Sequence, residues 1–153
     1  MLKINKVKPK KLVREAYGSI AKGQKKGCGC SSCGPDAKKF ARSIGYSEKE
    51  LKVIPDQANL ALGCGNPTAL ASIKKGEVVL DLGAGAGFDC FLAASKVGPR
   101  GKVTGVDMTI EMVKKTRDNA KKNGIENVEF RLGDGYFRHR TAKRTSCKTP
   151  KKY

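Results

Sequence analysis

Long apolar runs are missing from this chain: its 153 residues nowhere approach 18 consecutive apolar positions, which excludes a helical membrane span. The opening Met1–Lys11 alternates lysines with single apolar residues and never develops the apolar core of a secretory signal, so the expected compartment is the cytoplasm. Acidic residues are scarce, 14 Asp and Glu against 32 Lys and Arg, for a net charge of +18. That excess invites a nucleic-acid partner, but it sits at the two ends: +8 over residues 1–26, +7 over 135–153 and only +3 between them. No aromatic platform is interleaved with the basic tail, so it reads as a solvated or non-specifically adhesive segment. The length suits one ordinary core.

Six cysteines in a reducing compartment read as thiols for ligation or chemistry, not as a disulfide framework. Cys28, Cys30 and Cys33 lie in residues 23–35 with four glycines and Pro35, a composition that must be a loop unless something binds it. Cys64, in Leu62-Gly63-Cys64-Gly65-Asn66-Pro67, offers a fourth sulfur on a glycine-flanked turn. Thiolates are soft, and suit Zn²⁺, Cu(I), iron–sulfur clusters or a thiophilic metalloid. A zinc knuckle from Cys28, Cys30, Cys33 and Cys64 is one alternative, although only Cys30 and Cys33 have C-x-x-C spacing. An exposed thiol cluster without a partner is another. Cys90 reads as a small buried core residue.

Apolar spacing predicts a short amphipathic helix over Leu12–Ala21. Ser47-Glu48-Lys49-Glu50 fits a capping box for a helix to about Val53, and Asn66-Pro67 fits the cap and first residue of a helix over Thr68–Ile73. From Glu77 the pattern alternates: strand to Leu82, helix Phe88–Val97, strand Lys102–Asp107, helix Thr109–Asn123 closed by Gly124, strand Asn127–Leu132. Such alternation is the signature of a parallel α/β sheet with right-handed crossovers, here about half of one.

The first strand ends in Asp81-Leu82-Gly83-Ala84-Gly85-Ala86-Gly87-Phe88. Glycine permits positive φ and close ligand approach, and the following helix presents its positive end, so a cofactor is expected above this strand end. A dinucleotide fingerprint would put its third glycine where Phe88 stands; here it is Gly87. Asp107, 20 residues past Gly87, ends the second strand where a carboxylate would accept ribose hydroxyls. The alternatives are a tight turn that binds nothing, Asp107 as a helix cap, and Asp81 bonding loop amides.

Asp81-x-Gly83-x-Gly85-x-Gly87 resembles motif I of the class I S-adenosylmethionine-dependent methyltransferases. The resemblance implies a Rossmann-like sheet, of which the first three strands are present, preceded by a cysteine-bearing helical extension. It also implies S-adenosyl-L-methionine as cofactor, held by Asp81, Gly83, Gly85, Gly87, Asp107 and Met108. The strings Cys28–Cys33, Ile44-Gly45-Tyr46-Ser47, Asn59–Pro67, Val79–Cys90 and Gly105–Thr109 together look like the microbial arsenite methyltransferases over residues 13 to 134. In that family three cysteine thiolates bind trivalent arsenic, whose lone pair attacks the sulfonium methyl.

Carried over by position, Cys64 matches the turn cysteine and one of Cys28, Cys30 and Cys33 the N-terminal one, with Cys30 favoured. Arsenite or methylarsenite is then the substrate, a thiol reductant of the thioredoxin or glutathione type a partner, and arsenic detoxification the purpose. No general base is needed, which agrees with a single histidine, His139, outside the matched region. Tyr17-Gly18 resembles a tyrosine near the family's N-terminus, or is simply packing. Rival readings are a nucleic-acid or small-molecule methyltransferase on the same cofactor site, and a zinc- or metalloid-binding protein without turnover.

Three segments are expected: an extension over 1–75, the first half of the cofactor domain over 76–134, and a basic tail over 135–153. The tail lacks the Ser-Asn-Cys strand that carries the family's third arsenic ligand, and Cys147 does not resemble it. The tail reads as a frameshifted or misread end, or else as a genuine basic extension. Three strands without their neighbours imply an open edge, weak cofactor affinity and poor solubility.

Overall fold

The computed structural model describes residues 9–24 and 37–135. Cys28, Cys30, Cys33, His139 and Cys147 lie outside these residues. Four helices come first: α1 (Pro9–Ala21), α2 (Ala37–Ser43), α3 (Glu48–Lys52) and α4 (Pro67–Leu70), with a 3₁₀ turn at Asp56–Ala58. The alternating part follows as β1 (Val78–Leu82), α5 (Phe88–Val97), β2 (Lys102–Asp107), α6 (Ile110–Lys122) and β3 (Val128–Leu132). The expected α/β class is therefore the observed one.

Local chemistry explains most boundaries. Ser47 Oγ accepts from the Glu50 N–H at 3.3 Å while the Ser47 N–H donates to Glu50 Oε2 at 2.9 Å, the reciprocal pair that starts α3. Asn66 Oδ1 accepts from the Ala69 N–H at 3.0 Å, and Pro67 takes the first helical position of α4. That helix stops at Leu70, short of the expected Ile73, because Ser72 turns into the left-handed region at φ 46°. Two elements were not legible in the sequence, α2 and the 3₁₀ turn. Both are short and lack an apolar repeat long enough to read.

The three strands form one parallel sheet in the order β1-β2-β3, with Val79 opposite Val103 and Gly105 opposite Phe130. Each crossover steps one strand in the same direction, so right-handedness puts α5 and α6 on one face. On that face Cys90, Phe91, Leu92 and Val97 of α5 join Val113 and Ala120 of α6, Val103 and Phe130 in a single buried cluster. Ala41, Tyr46, Leu51, Ile54 and Ala58 belong to the same cluster. Lys96 Nζ of α5 reinforces that docking, reaching Glu50 Oε1 at 3.1 Å and the Thr68 carbonyl at 3.2 Å. Helix α1 lies on α6, where a Cβ on buried Gly18 would meet Glu111 Oε2 at 3.1 Å and Lys22 pairs with Glu111 at 3.0 Å.

The opposite sheet face carries the other side chains of β1. Val78, Leu80 and Leu82 are 79%, 50% and 52% exposed, and among the described residues β1 has no neighbour on its outer edge. No described helix is long and apolar enough to cross a membrane. An apolar stripe beside an open strand edge favours association. We predict that sedimentation of the 153-residue chain reveals concentration-dependent self-association, and that Leu80→Glu lowers it severalfold without lowering the unfolding midpoint. Equal association by both proteins would remove this face as the cause.

Candidate functional site

At the carboxyl ends of the strands lies an open cavity of about 610 Å³. Its floor is the β1–α5 turn and the end of β2, contributed by Gly83, Gly85, Asp107 and Met108. Its walls are Val13 and Tyr17 of α1, Phe40 of α2, Tyr46, the 59–63 segment, and Phe88 and Asp89 at the start of α5. The volume falls in the range of about 300–1,000 Å³ usual for small-molecule sites.

The alternating glycines have different duties. Gly83 has φ 88° and open space where a Cβ would stand, and Gly85 has φ 52° with only the Gly83 carbonyl oxygen at 4.0 Å. These two give a ligand free approach to the backbone. Gly87 has φ 89°, but a Cβ there would come 2.4 Å from Thr116 Cγ2 and 2.8 Å from Phe91 Cε2. It does not face the cavity, and tight packing of α6 against the turn requires its glycine. The turn is tied down on both sides. The N–H groups of Gly83 and Ala84 donate to the Val106 carbonyl at 2.7 and 3.0 Å, and Thr116 Oγ1 donates to the Gly85 carbonyl at 2.8 Å.

Asp107 joins the turn to α6. Its Oδ2 accepts from the Gly85 N–H at 3.0 Å and its Oδ1 from the Thr109 N–H at 2.7 Å. The capping alternative is thus geometrically present, and each carboxylate oxygen keeps acceptor capacity toward the cavity. Asp81 lies lower, off the cavity wall, where the Cys90 thiol donates to its Oδ2 at 3.1 Å. Burial raises the Asp81 pKa, the thiol bond opposes that rise, and the nearby Asp107 charge adds to it. Burial, then the Asp81 charge, pushes the Cys90 thiol far up, so it stays protonated. Cys90 is 0% exposed, as the core reading expects, and its sulfur fills the space a Cβ on Gly105 would need.

Cys64 is exposed on a turn whose neighbour Gly63 forms part of the cavity wall. Among the described residues no group of three or more His, Cys, Asp or Glu side chains could hold a metal ion. The zinc knuckle and the metalloid site both need thiols outside the described residues. Sequence reasoning missed Tyr46 and Asp89 as site residues. Asp89 directly follows the glycine motif, and an acid in the first helical turn was its only local signal; the contact with Tyr46 spans 43 positions.

Comparison with known proteins gives the class first: residues 73–135 match a family described as Methyltransferase domain. Over these residues the chain is similar to a methyltransferase domain, and its parallel α/β sheet is of the class I methyltransferase kind. The resemblance to arsenite methyltransferases also holds. The chain is 49% identical to the arsenite methyltransferase of Halobacterium salinarum over 136 residues, 82% of this chain and 34% of that protein. It is 38% identical over 86 residues to the arsenite methyltransferase of Aquipseudomonas alcaligenes, 54% of this chain and 24% of that protein. A crystal structure of an arsenic(III) S-adenosylmethionine methyltransferase from Chlamydomonas reinhardtii is 32% identical, covering 66% of this chain and 33% of that one at a TM-score of 0.42. The chain spans about a third or less of the length of these relatives.

Two predictions follow from the geometry. Gly83→Ala meets only the backbone penalty of positive φ, about 1–2 kcal/mol, whereas Gly87→Ala adds a clash worth a further 1–3 kcal/mol or so. Denaturant titration should rank Gly87→Ala as clearly the more harmful, and equal losses would contradict the packing duty of Gly87. Asp81→Asn should stabilise the fold at neutral pH. The raised folded pKa of Asp81 means no penalty below its unfolded pKa, where both states are protonated. The penalty grows as pH rises through the unfolded and then the folded value, so the gain from Asp81→Asn should vanish on acidification; a pH-independent difference would contradict the burial of the charge.

Proposed function

We propose that this chain binds S-adenosyl-L-methionine in the 610 Å³ cavity and belongs to an enzyme that methylates trivalent arsenic held by cysteine thiolates. The observation that carries the proposal is the junction of Gly83, Gly85 and Asp107 with the Cys64 turn, whose Gly63 forms a wall of the same cavity. When bound, the cofactor supplies an electrophilic methyl group on a sulfonium. The open Cβ positions of Gly83 and Gly85 accommodate it against the backbone. Asp107, with one acceptor site free on each oxygen, takes the ribose hydroxyls, and Met108 borders the same end. Asp107 on the wall makes the cavity favourable for a cation. Asp81 accepts from the Cys90 thiol of α5, off the cavity wall, and Gly87 packs the far end of the turn against α6.

For the substrate side, Cys64 and Cys30 hold the metalloid, with Cys28 and Cys33 as alternative thiolates. Sulfur ligation leaves arsenic its lone pair, so methyl transfer needs no general base and depends on positioning. Two facts support arsenic over another acceptor. The similarity to the Halobacterium salinarum protein covers 82% of 153 residues, and so extends well N-terminal of the glycine turn into the cysteine-bearing part of the chain. By contrast, a Saccharothrix syringae nocamycin O-methyltransferase matches over only 66 residues. The segment bearing Cys28–Cys33 also joins α1 to α2, and both helices line the cavity. A thiol reductant of the thioredoxin or glutathione type would restore thiols and trivalent arsenic, and detoxification in the cytoplasm is the setting these parts suit.

Calorimetric titration of S-adenosyl-L-methionine into the chain tests the cofactor site. We expect binding that Asp107→Asn weakens about tenfold, the loss of charge from two hydrogen bonds; no effect of that change would refute the ribose assignment. A methylation assay with arsenite and a thiol reductant tests the acceptor. Methylarsenic product from the chain, abolished in Cys64→Ser, is the expected result, and product formation undiminished by Cys64→Ser would sink the thiolate mechanism.

A further inference from the structure

The turn that carries Cys64 belongs to no helix or strand, and its position is borrowed from another segment. A Cβ on Gly63 would come 3.0 Å from Ile44 Cδ1. The Gly65 carbonyl oxygen lies 2.9 Å from Tyr46 Oη, and Asn66 Nδ2 donates to the Gly45 carbonyl at 3.1 Å. All three anchors, Ile44, Gly45 and Tyr46, come from the short stretch between α2 and α3.

Tyr46 is fixed in turn. It is 3% exposed, its ring stands edge-on to Phe88 at 4.8 Å, and its hydroxyl lies 2.5 Å from Asp89 Oδ1. Phe88 and Asp89 open α5 directly after the glycine turn and border the cavity. One hydroxyl therefore links the Cys64 turn to the helix start at the cavity wall.

That hydroxyl has one proton and two acceptors beside it. A tyrosine donates a single hydrogen bond, so both contacts are favourable only when Asp89 carries a proton and donates to Tyr46 Oη, while Tyr46 donates to the Gly65 carbonyl. Burial raises the Asp89 pKa and outweighs the opposing effect of the Tyr46 hydrogen bond, a net shift in the direction this arrangement needs. Tyr46 Oη thus sits between the Asp89 carboxyl and the Gly65 carbonyl, and a protonated Asp89 makes these two contacts a directed chain from Asp89 through Tyr46 to Gly65.

We infer that Tyr46 is a positioning residue for Cys64, holding the turn through its hydroxyl so that a metalloid bound to the thiolate faces the methyl donor. Its meaning for catalysis rests on the arsenic reading above; the clamp itself does not. Misplacement of a reacting group by about 1 Å can cost on the order of a hundredfold in rate, so one hydroxyl at this place has leverage.

The test uses the 153-residue chain with Tyr46→Phe, Asp89→Ala, Asp89→Asn and Cys64→Ser. Phenylalanine keeps the ring against Phe88 and removes only the link; asparagine at 89 is a neutral donor that imitates the protonated acid. The first readout is affinity for phenylarsine oxide, a trivalent arsenical that bridges two thiols. The second is hydrogen exchange of residues 62–67, with Cys90 shielded from alkylation as proof of an intact core. Tyr46→Phe and Asp89→Ala should weaken arsenical binding about five- to tenfold and speed exchange in the turn, consistent with loss of one hydrogen bond, while Asp89→Asn stays near the parent. Parental affinity and exchange in Tyr46→Phe would overturn the inference. If Cys64→Ser binds the arsenical as well as the parent, the arsenic reading fails, and unchanged exchange in Tyr46→Phe then decides against the clamp separately. Should Tyr46→Phe not fold, equal affinities of Asp89→Ala and Asp89→Asn overturn it.

Discussion

The carboxylate of Asp107 is the joint on which the site depends. It stands at the end of β2 and accepts from the Gly85 N–H of the glycine turn and from the Thr109 N–H where α6 begins. A turn rich in glycine has high conformational entropy in the unfolded chain, and bonds must hold it open in one shape. Asp107 and the Val106 carbonyl supply those bonds from one side, and Thr116 from the other. Because the Asp107 oxygens are only half used, the group that shapes the turn can also meet a ligand in the cavity.

The same economy governs the support behind the turn. Gly105 lets Cys90 and Phe130 close in on the sheet, and Gly87 lets α6 press against the helix start. The Cys90 thiol spends its proton on Asp81, which is held off water with a raised pKa. A carboxyl whose pKa is raised by burial folds more favourably with its proton than without it.

Handedness determines what is covered. Two crossovers stepping the same way must put both helices on one side, so the core forms there and Val78, Leu80 and Leu82 are left facing out. The helical segments before β1 do not cover that face. They pack against α5 and α6 instead, through Tyr46 and Leu51 and through Gly18, and so become walls of the cavity.

Much of this was legible in the residues because the signals are local. The capping box at Ser47, the Asn66-Pro67 start, the alternation after Glu77 and the glycine spacing each act within a few positions, and each element lies where the pattern puts it, α4 alone ending early. Asp107 was legible because strand-end acids sit at a characteristic distance from such a turn. Other properties depend on contacts far apart in the chain. Gly83 and Gly87 look alike in sequence, yet one opens onto the cavity and the other is clamped by Thr116 and Phe91. The pairing of Tyr46 with Asp89 and with the Gly65 carbonyl has no sequence signature, because the sheet and helices must first assemble to bring the three together. The amino-acid order thus determined which elements form and which residue types line the strand ends, since capping, turn and strand propensities are short-range. Tertiary structure alone decided which glycine faces the cavity, which acids have their pKa raised by burial and what anchors the Cys64 turn, since packing and desolvation exist only once distant segments meet.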